Sequence, residues 1–153
     1  MKKDQLRIPD YLGHILQAIQ RIHAYAEDMD EVSFLKNEMA QDAVIRNIEI
    51  IGEAACNIGK HYPEFAGQYP DIPWEDVYLM RNRISHGYFS IDLEVVWKTV
   101  QHDIPQLALQ IQALQQGLNA PTVFKSEVQA NDGSSAKRSP ASPKTSSHQF
   151  LNR

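Results

Sequence analysis

Arg81, Asn82, His86 and Tyr88 fall within the stretch Met80-Arg81-Asn82-Arg83-Ile84-Ser85-His86-Gly87-Tyr88-Phe89. A histidine can take and return a proton near neutral pH. An arginine stays charged and forks onto phosphate oxygens. Brought together, the two suit attack of a 2′-hydroxyl on the neighbouring phosphate of an RNA chain. The imidazole would handle the proton and the guanidinium would stabilise charge on the phosphorane. Such chemistry needs no metal. His14, His23, His61, His86, His102 and His148 show no ligand spacing, and Cys56 is the only cysteine, so no metal site is expected. Taken alone the motif also fits a plain reading, in which a histidine at a helix end meets the negative terminus of the helix.

The elements that must position these residues read as helices. The first begins near Pro9 and carries Leu12, Ile15, Leu16, Ile19, Ile22 and Ala26 at three- and four-residue spacing, an apolar stripe of helical period. Asp28-Met29-Asp30 closes it, and a connector through Ser33-Phe34-Leu35 follows. The second spans Asn37 to Gly59 with Ala40, Val44, Ile48, Ile51, Ala55 and Ile58 on its apolar face, Gly59 being the expected stop. Pro63, Gly67, Pro70 and Pro73 mark a connector. The third helix is predicted from Pro73 to Ser85 or His86, with Asp71 as its cap and Gly87 as its stop. The fourth starts after Asp92, and Pro105 should kink or split it, leaving Asp103 to cap the second piece. No strand is expected. Four amphipathic helices with short links predict an all-α, up-down bundle of four to five helices.

On such a third helix Asn82 and His86 would lie one turn apart on one face. Arg81 and His86, five residues apart, would point about 140° apart. They converge only if the helix loosens toward Gly87, or if two copies pack their third helices around a shared cleft.

The charge is uneven. Residues 1–120 hold 10 Lys/Arg against 17 Asp/Glu, whereas 121–153 hold 5 against 2. An acidic body argues against broad coating of nucleic acid, which rests on many phosphate contacts, but leaves room for RNA at one small basic site. Residues 121–153 are rich in Ser, Pro and Lys and read as a disordered tail to a single domain of residues 1–120. Residues 1–7 lack the apolar run of a secretory leader, and no apolar stretch approaches twenty residues, so a cytoplasmic protein without a membrane span is expected.

Other residues admit two readings each. Arg46, Glu49 and Glu53 on the second helix could line a cleft or meet a partner. The reading preferred from sequence is pairing of Asp42 with Arg46 and of Arg46 with Glu49 on a solvated face. Arg83 could hold RNA or a partner, or be an ordinary surface arginine. Trp74, Trp97 and Phe89 are expected to pack in the core, and Cys56 to be a small buried hydrophobe.

Arg81-x-x-x-x-His86-x-Tyr88 resembles the signature of the HepT-like branch of the HEPN superfamily. The likeness extends to the stretch from Asp10 to Ile19 and to that from Gln41 to Ala54. Pro73-Trp74, Val96-Trp97 and Asp103-Ile104-Pro105 continue it in order, over nearly all of residues 5–115. This resemblance implies a homodimeric helical bundle with a metal-independent ribonuclease centre at the dimer interface. Arg81 and His86 would be its catalytic pair and Asn82 a supporting polar residue. It also implies a toxin–antitoxin pair of type VII, whose partner is a nucleotidyltransferase of the MntA kind that attaches AMP to the tyrosine matching Tyr88. The nucleotide would then be the partner's cofactor, with none needed by this chain, and RNA rather than DNA the substrate. The alternative is a non-catalytic HEPN module that serves as the binding or regulatory subunit of a nucleotidyltransferase.

Overall fold

The structure, a computed structural model, describes residues 6–86 and 90–119, with the backbone alone at Ser85 and His86. Helix α1 spans Ile8–Ala26, and the Asp10 carboxylate accepts the Arg7 backbone N–H at 3.0 Å to close its first turn. Its buried side carries Leu12, Ile15, Ile19, Ile22 and Ala26, as the spacing predicts. Leu16 is half-buried at the edge of that stripe.

The connector expected at Ser33-Phe34-Leu35 is instead a short helix, α2, Glu31–Leu35. Asp30 caps it by accepting the Ser33 backbone N–H at 2.8 Å, while the Ser33 hydroxyl oxygen accepts the Asp30 N–H. The bond from the Ser33 backbone holds the Asp30 carboxyl below its ordinary value of 3.8. This turn exists because Phe34 needs a fixed approach to the core: it is fully buried, with its ring 5.2 Å from that of Trp97.

Helix α3, Glu38–His61, is the longest, capped by Asn37, which accepts the Ala40 N–H at 2.9 Å. It runs past Gly59, the expected stop, and ends at Tyr62 with φ −135° and ψ 57°. The cause is Pro63, whose ring drives the preceding residue out of helical geometry. The Pro-rich connector begins with a helix of its own, α4, Pro63–Gln68, in which Pro63 takes the first turn, where no backbone donor is missed. Phe65, Tyr69 and Trp74 pack there, and the Trp74 indole donates to the Tyr69 carbonyl at 3.2 Å.

Helix α5, Trp74–Ile84, starts after Pro73, whose carbonyl accepts the Val77 N–H. Asp71 does not cap it; its backbone carbonyl accepts the side-chain amide of Gln110 instead. The helix stops at Ile84, earlier than expected. The chain then extends through β1, Ser85–His86, which pairs antiparallel with β2, Ser90–Ile91, with His86 opposite Ser90. Among the described residues this two-residue ladder is the one departure from the expectation of no strand. It is held shut by the Asp92 N–H donating to the Ile84 carbonyl at 2.8 Å.

Asp92 also caps α6, Leu93–Lys98, and the helix then widens into a π-helical turn, Thr99–Asp103, before α7, Ile104–Leu118. The regular α-helix is thus interrupted just ahead of Pro105, as expected, but by a π-helical turn. The wider turn, with Ile104 N–H bonded to the Thr99 carbonyl, absorbs the missing proline donor. Asp103 lies inside that turn and caps nothing.

The all-α bundle is as expected. Helix α3 lies at its centre, against α1 on one side and α5 on the other, while α7 closes over α1. Gly52 sets the spacing of α3 and α5: a Cβ there would stand 3.3 Å from the Tyr78 carbonyl oxygen and 3.5 Å from that of Val77. No described helix is long and apolar enough to cross a membrane.

Candidate active site

Helix α5 buries Val77, Met80 and Ile84, and this leaves Arg81, Asn82 and Arg83 exposed between the last two. Arg81 forms part of an open cleft of about 450 Å³ on the outer side of α3. Facing it are Arg46, Glu49, Glu53 and Asn57 of α3, with Tyr11 and His14 of α1 and Leu6 just before that helix. Helix geometry explains the α3 contribution: residues 46, 49, 53 and 57 recur every three or four positions and stay on one side. The opposite side carries Val44, Ile48, Ile51, Ala55 and Ile58 into the core.

Arg46 and Glu53 both line this cleft. The pairing preferred from sequence does not form. Among the described residues the ion pairs are Arg7–Asp10 at 3.6 Å and His23–Glu27 at 3.2 Å, so neither Asp42–Arg46 nor Arg46–Glu49 is one. An exposed pair gains little against the entropy of holding two long side chains, and these charges stay open to other partners. The cleft thus holds two guanidinium groups, two carboxylates and the exposed imidazole of His14. Mixed charge of this kind can grip one phosphate without attracting a long stretch of nucleic acid.

Arg83 does not share this cleft. Two residues along a helix is a turn of about 200°, and Arg83 faces a separate groove of about 220 Å³ with Asp71, Asp76 and Asp103. Asn82 is exposed on the intervening side of α5. The one-turn relation expected between Asn82 and His86 is not made, because α5 ends at Ile84 and His86 lies on the extended segment beyond it. The loosening that would bring Arg81 and His86 together therefore begins before His86 rather than at Gly87. The His86 side chain, Gly87, Tyr88 and Phe89 lie outside the described residues, as does the tail from 120 onward.

Sequence reasoning passed over Tyr11 and His14 as site residues. Tyr11 is buried at 6% exposure and His14 is exposed. Neither stands near the motif in the chain, and only the packing of α1 beside α3 brings them to Arg81. Among the described residues no three His, Cys, Asp or Glu side chains gather as metal ligands would. Cys56 is half-buried on α3.

Comparison with known proteins bears on what this cleft belongs to. The family model described as Ribonuclease HepT-like matches residues 15–114. A protein of Thermococcus cleftensis named for ribonuclease HepT is 43% identical over 98 residues, covering 64% of this chain and 86% of its own. An RNase-named protein of Methanocaldococcus jannaschii is 34% identical over 102 residues, covering 67% and 91%. Another protein of that organism, whose name joins a gamma-glutamylcyclotransferase to an RNase, is 40% identical over 119 residues, covering 78% of this chain. The chain spans only 51% of that relative. No solved structure matches. The matched region takes in the cleft-lining part of α3, the whole of α5 with Arg81, and His86, and the chain belongs to the HepT-like ribonuclease family of HEPN proteins.

Proposed function

We propose that this chain is an RNA endonuclease, the toxin of a type VII toxin–antitoxin pair, and that Arg81 and His86 are its catalytic residues. The observation that carries this reading is Arg81 on the wall of the mixed-charge cleft, at the end of the helix that leads directly into His86, in a chain of the HepT-like family. In the reaction the 2′-oxygen of one ribose bonds to the adjacent phosphorus and the bond from phosphorus to the 5′-oxygen breaks. His86 accepts the proton of the 2′-hydroxyl, and the leaving 5′-oxygen is protonated in turn. Arg81 holds the non-bridging oxygens as their charge grows. Asn82 supports the pair from the same helix. Two copies of the chain share the seam in which this occurs.

The natural regulator is a nucleotidyltransferase of the MntA kind. It transfers AMP from ATP to the Tyr88 hydroxyl and releases pyrophosphate. A phosphodiester two residues from His86 adds bulk and negative charge where the RNA phosphate must sit, so the modified protein is inactive.

The test is cleavage of a short labelled RNA by purified protein in the presence of chelator. Arg81→Ala cuts about 10²- to 10³-fold more slowly and His86→Ala does not cut, helicity being retained in both, and a substrate with a 2′-deoxy sugar at the cleaved position is not cut. Wild-type rates from folded His86→Ala would refute the assignment. No cleavage of any RNA by the unmodified wild type would instead favour a non-catalytic subunit of a nucleotidyltransferase. Tyr88→Phe remains a nuclease and gains no mass from ATP and the partner; AMP found on another residue would remove the role given to Tyr88.

A further inference from the structure

His14 stands on α1, on the flank of α3 away from α5, and its exposed side chain lines the cleft that holds Arg81. Helices α1 and α5 are thus the two walls of the cleft, and Arg46, Glu49, Glu53 and Asn57 of α3 are its floor. The other histidine of α1, His23, is paired with Glu27 at 3.2 Å. His14 is in no ion pair among the described residues. Asp10, one turn ahead of it, is turned to Arg7: its carboxylate accepts the Arg7 backbone N–H at 3.0 Å and lies 3.6 Å from the Arg7 guanidinium. The next turn of α1 offers Gln17 and Ala18, neither charged. The imidazole is therefore not tied to a carboxylate of its own helix, and it faces whatever enters the cleft.

We propose that His14 is the general acid of the cleavage, giving a proton to the 5′-oxygen as it leaves. The inference rests on the ribonuclease reading of the site and supplies the proton donor which that reaction needs. The 2′-oxygen and the 5′-oxygen lie on opposite sides of the phosphorus, so one imidazole cannot face both at once. The wall that carries Arg81 leads into His86, and the facing wall carries His14. Each oxygen then meets one histidine. As the 2′-oxygen bonds to phosphorus, its proton passes to His86. The bond from phosphorus to the 5′-oxygen breaks with its electron pair on oxygen, which takes the proton of the His14 imidazolium N–H. The products are a 2′,3′-cyclic phosphate and a 5′-hydroxyl, and exchange with water returns both histidines to their starting forms. The other groups of the cleft are unsuited to this step. Guanidinium groups do not release their protons, and ionised carboxylates only accept. Tyr11 is buried, its side chain part of the core. An imidazole can give a proton near neutral pH and take it back.

Single-turnover cleavage by the full chain tests this with two substrates, a labelled RNA and the same RNA with sulfur in place of the 5′-oxygen at the cleaved phosphate. A thiol is far more acidic than an alcohol, so the sulfur departs without a proton donor. His14→Ala and His14→Gln, with folding confirmed by circular dichroism, cut ordinary RNA about 10²- to 10⁴-fold more slowly than the wild type. Both cut the sulfur substrate at close to the wild-type rate, a rescue that a merely structural role for His14 would not give. His86→Ala is slow on both substrates. An equal loss on the two substrates in the His14 variants would make His14 a binding residue, and an undiminished rate on ordinary RNA would place it outside the reaction. Either result overturns the proposal, as does sulfur rescue confined to His86→Ala, which would give the donor's role to His86. None of these three touches the ribonuclease reading. A wild type that cuts neither substrate, or a folded His86→Ala that cuts both at wild-type rates, refutes that reading and the proposal with it.

Discussion

Arg81 and Arg83 are the same residue type two positions apart, and the helix sends them to different places: one to the cleft with Arg46, Glu49 and Glu53, the other to a groove with three aspartates. Chemistry at the cleft should therefore depend on the first and not the second. Arg81→Ala is expected to lower the rate of RNA cleavage by about 10²- to 10³-fold, the range seen when one preorganised charge donor is removed. Arg81→Lys should recover only part of this, because an ammonium is a point charge and cannot fork onto two phosphate oxygens. Arg83→Ala should leave the rate within about twofold, as a surface substitution outside the cleft. Single-turnover rates on one labelled RNA decide all three, and a large loss in Arg83→Ala would mean that the groove, not the cleft, receives substrate. The motif itself was legible from residue types. His14 and Tyr11 were not, because a residue joins a site by packing, and nothing in the local text around Asp10 to Ile19 points at position 81.

At the scale of elements, the close approach of α3 to α5 rests on Gly52, which faces backbone carbonyls that cannot swing aside. Gly52→Ala should be near neutral for stability. The gain of about 1 kcal/mol from removing a helix-interior glycine is offset by a Cβ about as close as contact allows. Gly52→Val forces the helices apart and should cost about 1–3 kcal/mol, the usual range for overpacking. It should also slow cleavage by shifting Arg81 against the α3 side of its cleft. Urea denaturation with rate measurements on the folded protein checks both. The long helices were readable because apolar side chains recur with helical period along α1, α3 and α7. Their ends were less so. α3 overran Gly59 because a helix tolerates glycine until a proline forbids the next turn. The connector at Ser33 became helical because Phe34 is driven into the core. α5 ended at Ile84 because Ser85 and His86 find ladder partners in Ile91 and Ser90, a pairing that no helical propensity records.

For the whole molecule, the decisive property is an acidic body with a small mixed-charge cleft. RNA cleavage should weaken with added salt far less steeply than for proteins that neutralise many phosphates, with a slope of log KM against log salt of about one or two, because few phosphates are gripped. A slope several times larger would indicate an extended basic track outside the cleft. Among the described residues the buried hydrophobic core lies between Tyr11 and Leu114, so a chain ending at 120 should melt at the same temperature as the full one. Composition and periodicity were sufficient for the helical class, since burying an apolar stripe is a property that each helix carries in its own residues. The motif and the resemblance it belongs to were sufficient for the chemistry to look for. The side of α3 left bare was decided by tertiary structure alone, as were the residues of α1 that reach Arg81 and the point at which α5 gives way to extended chain. Each of these depends on which surfaces the other helices have already covered, and that is a relation between distant segments which no single segment contains.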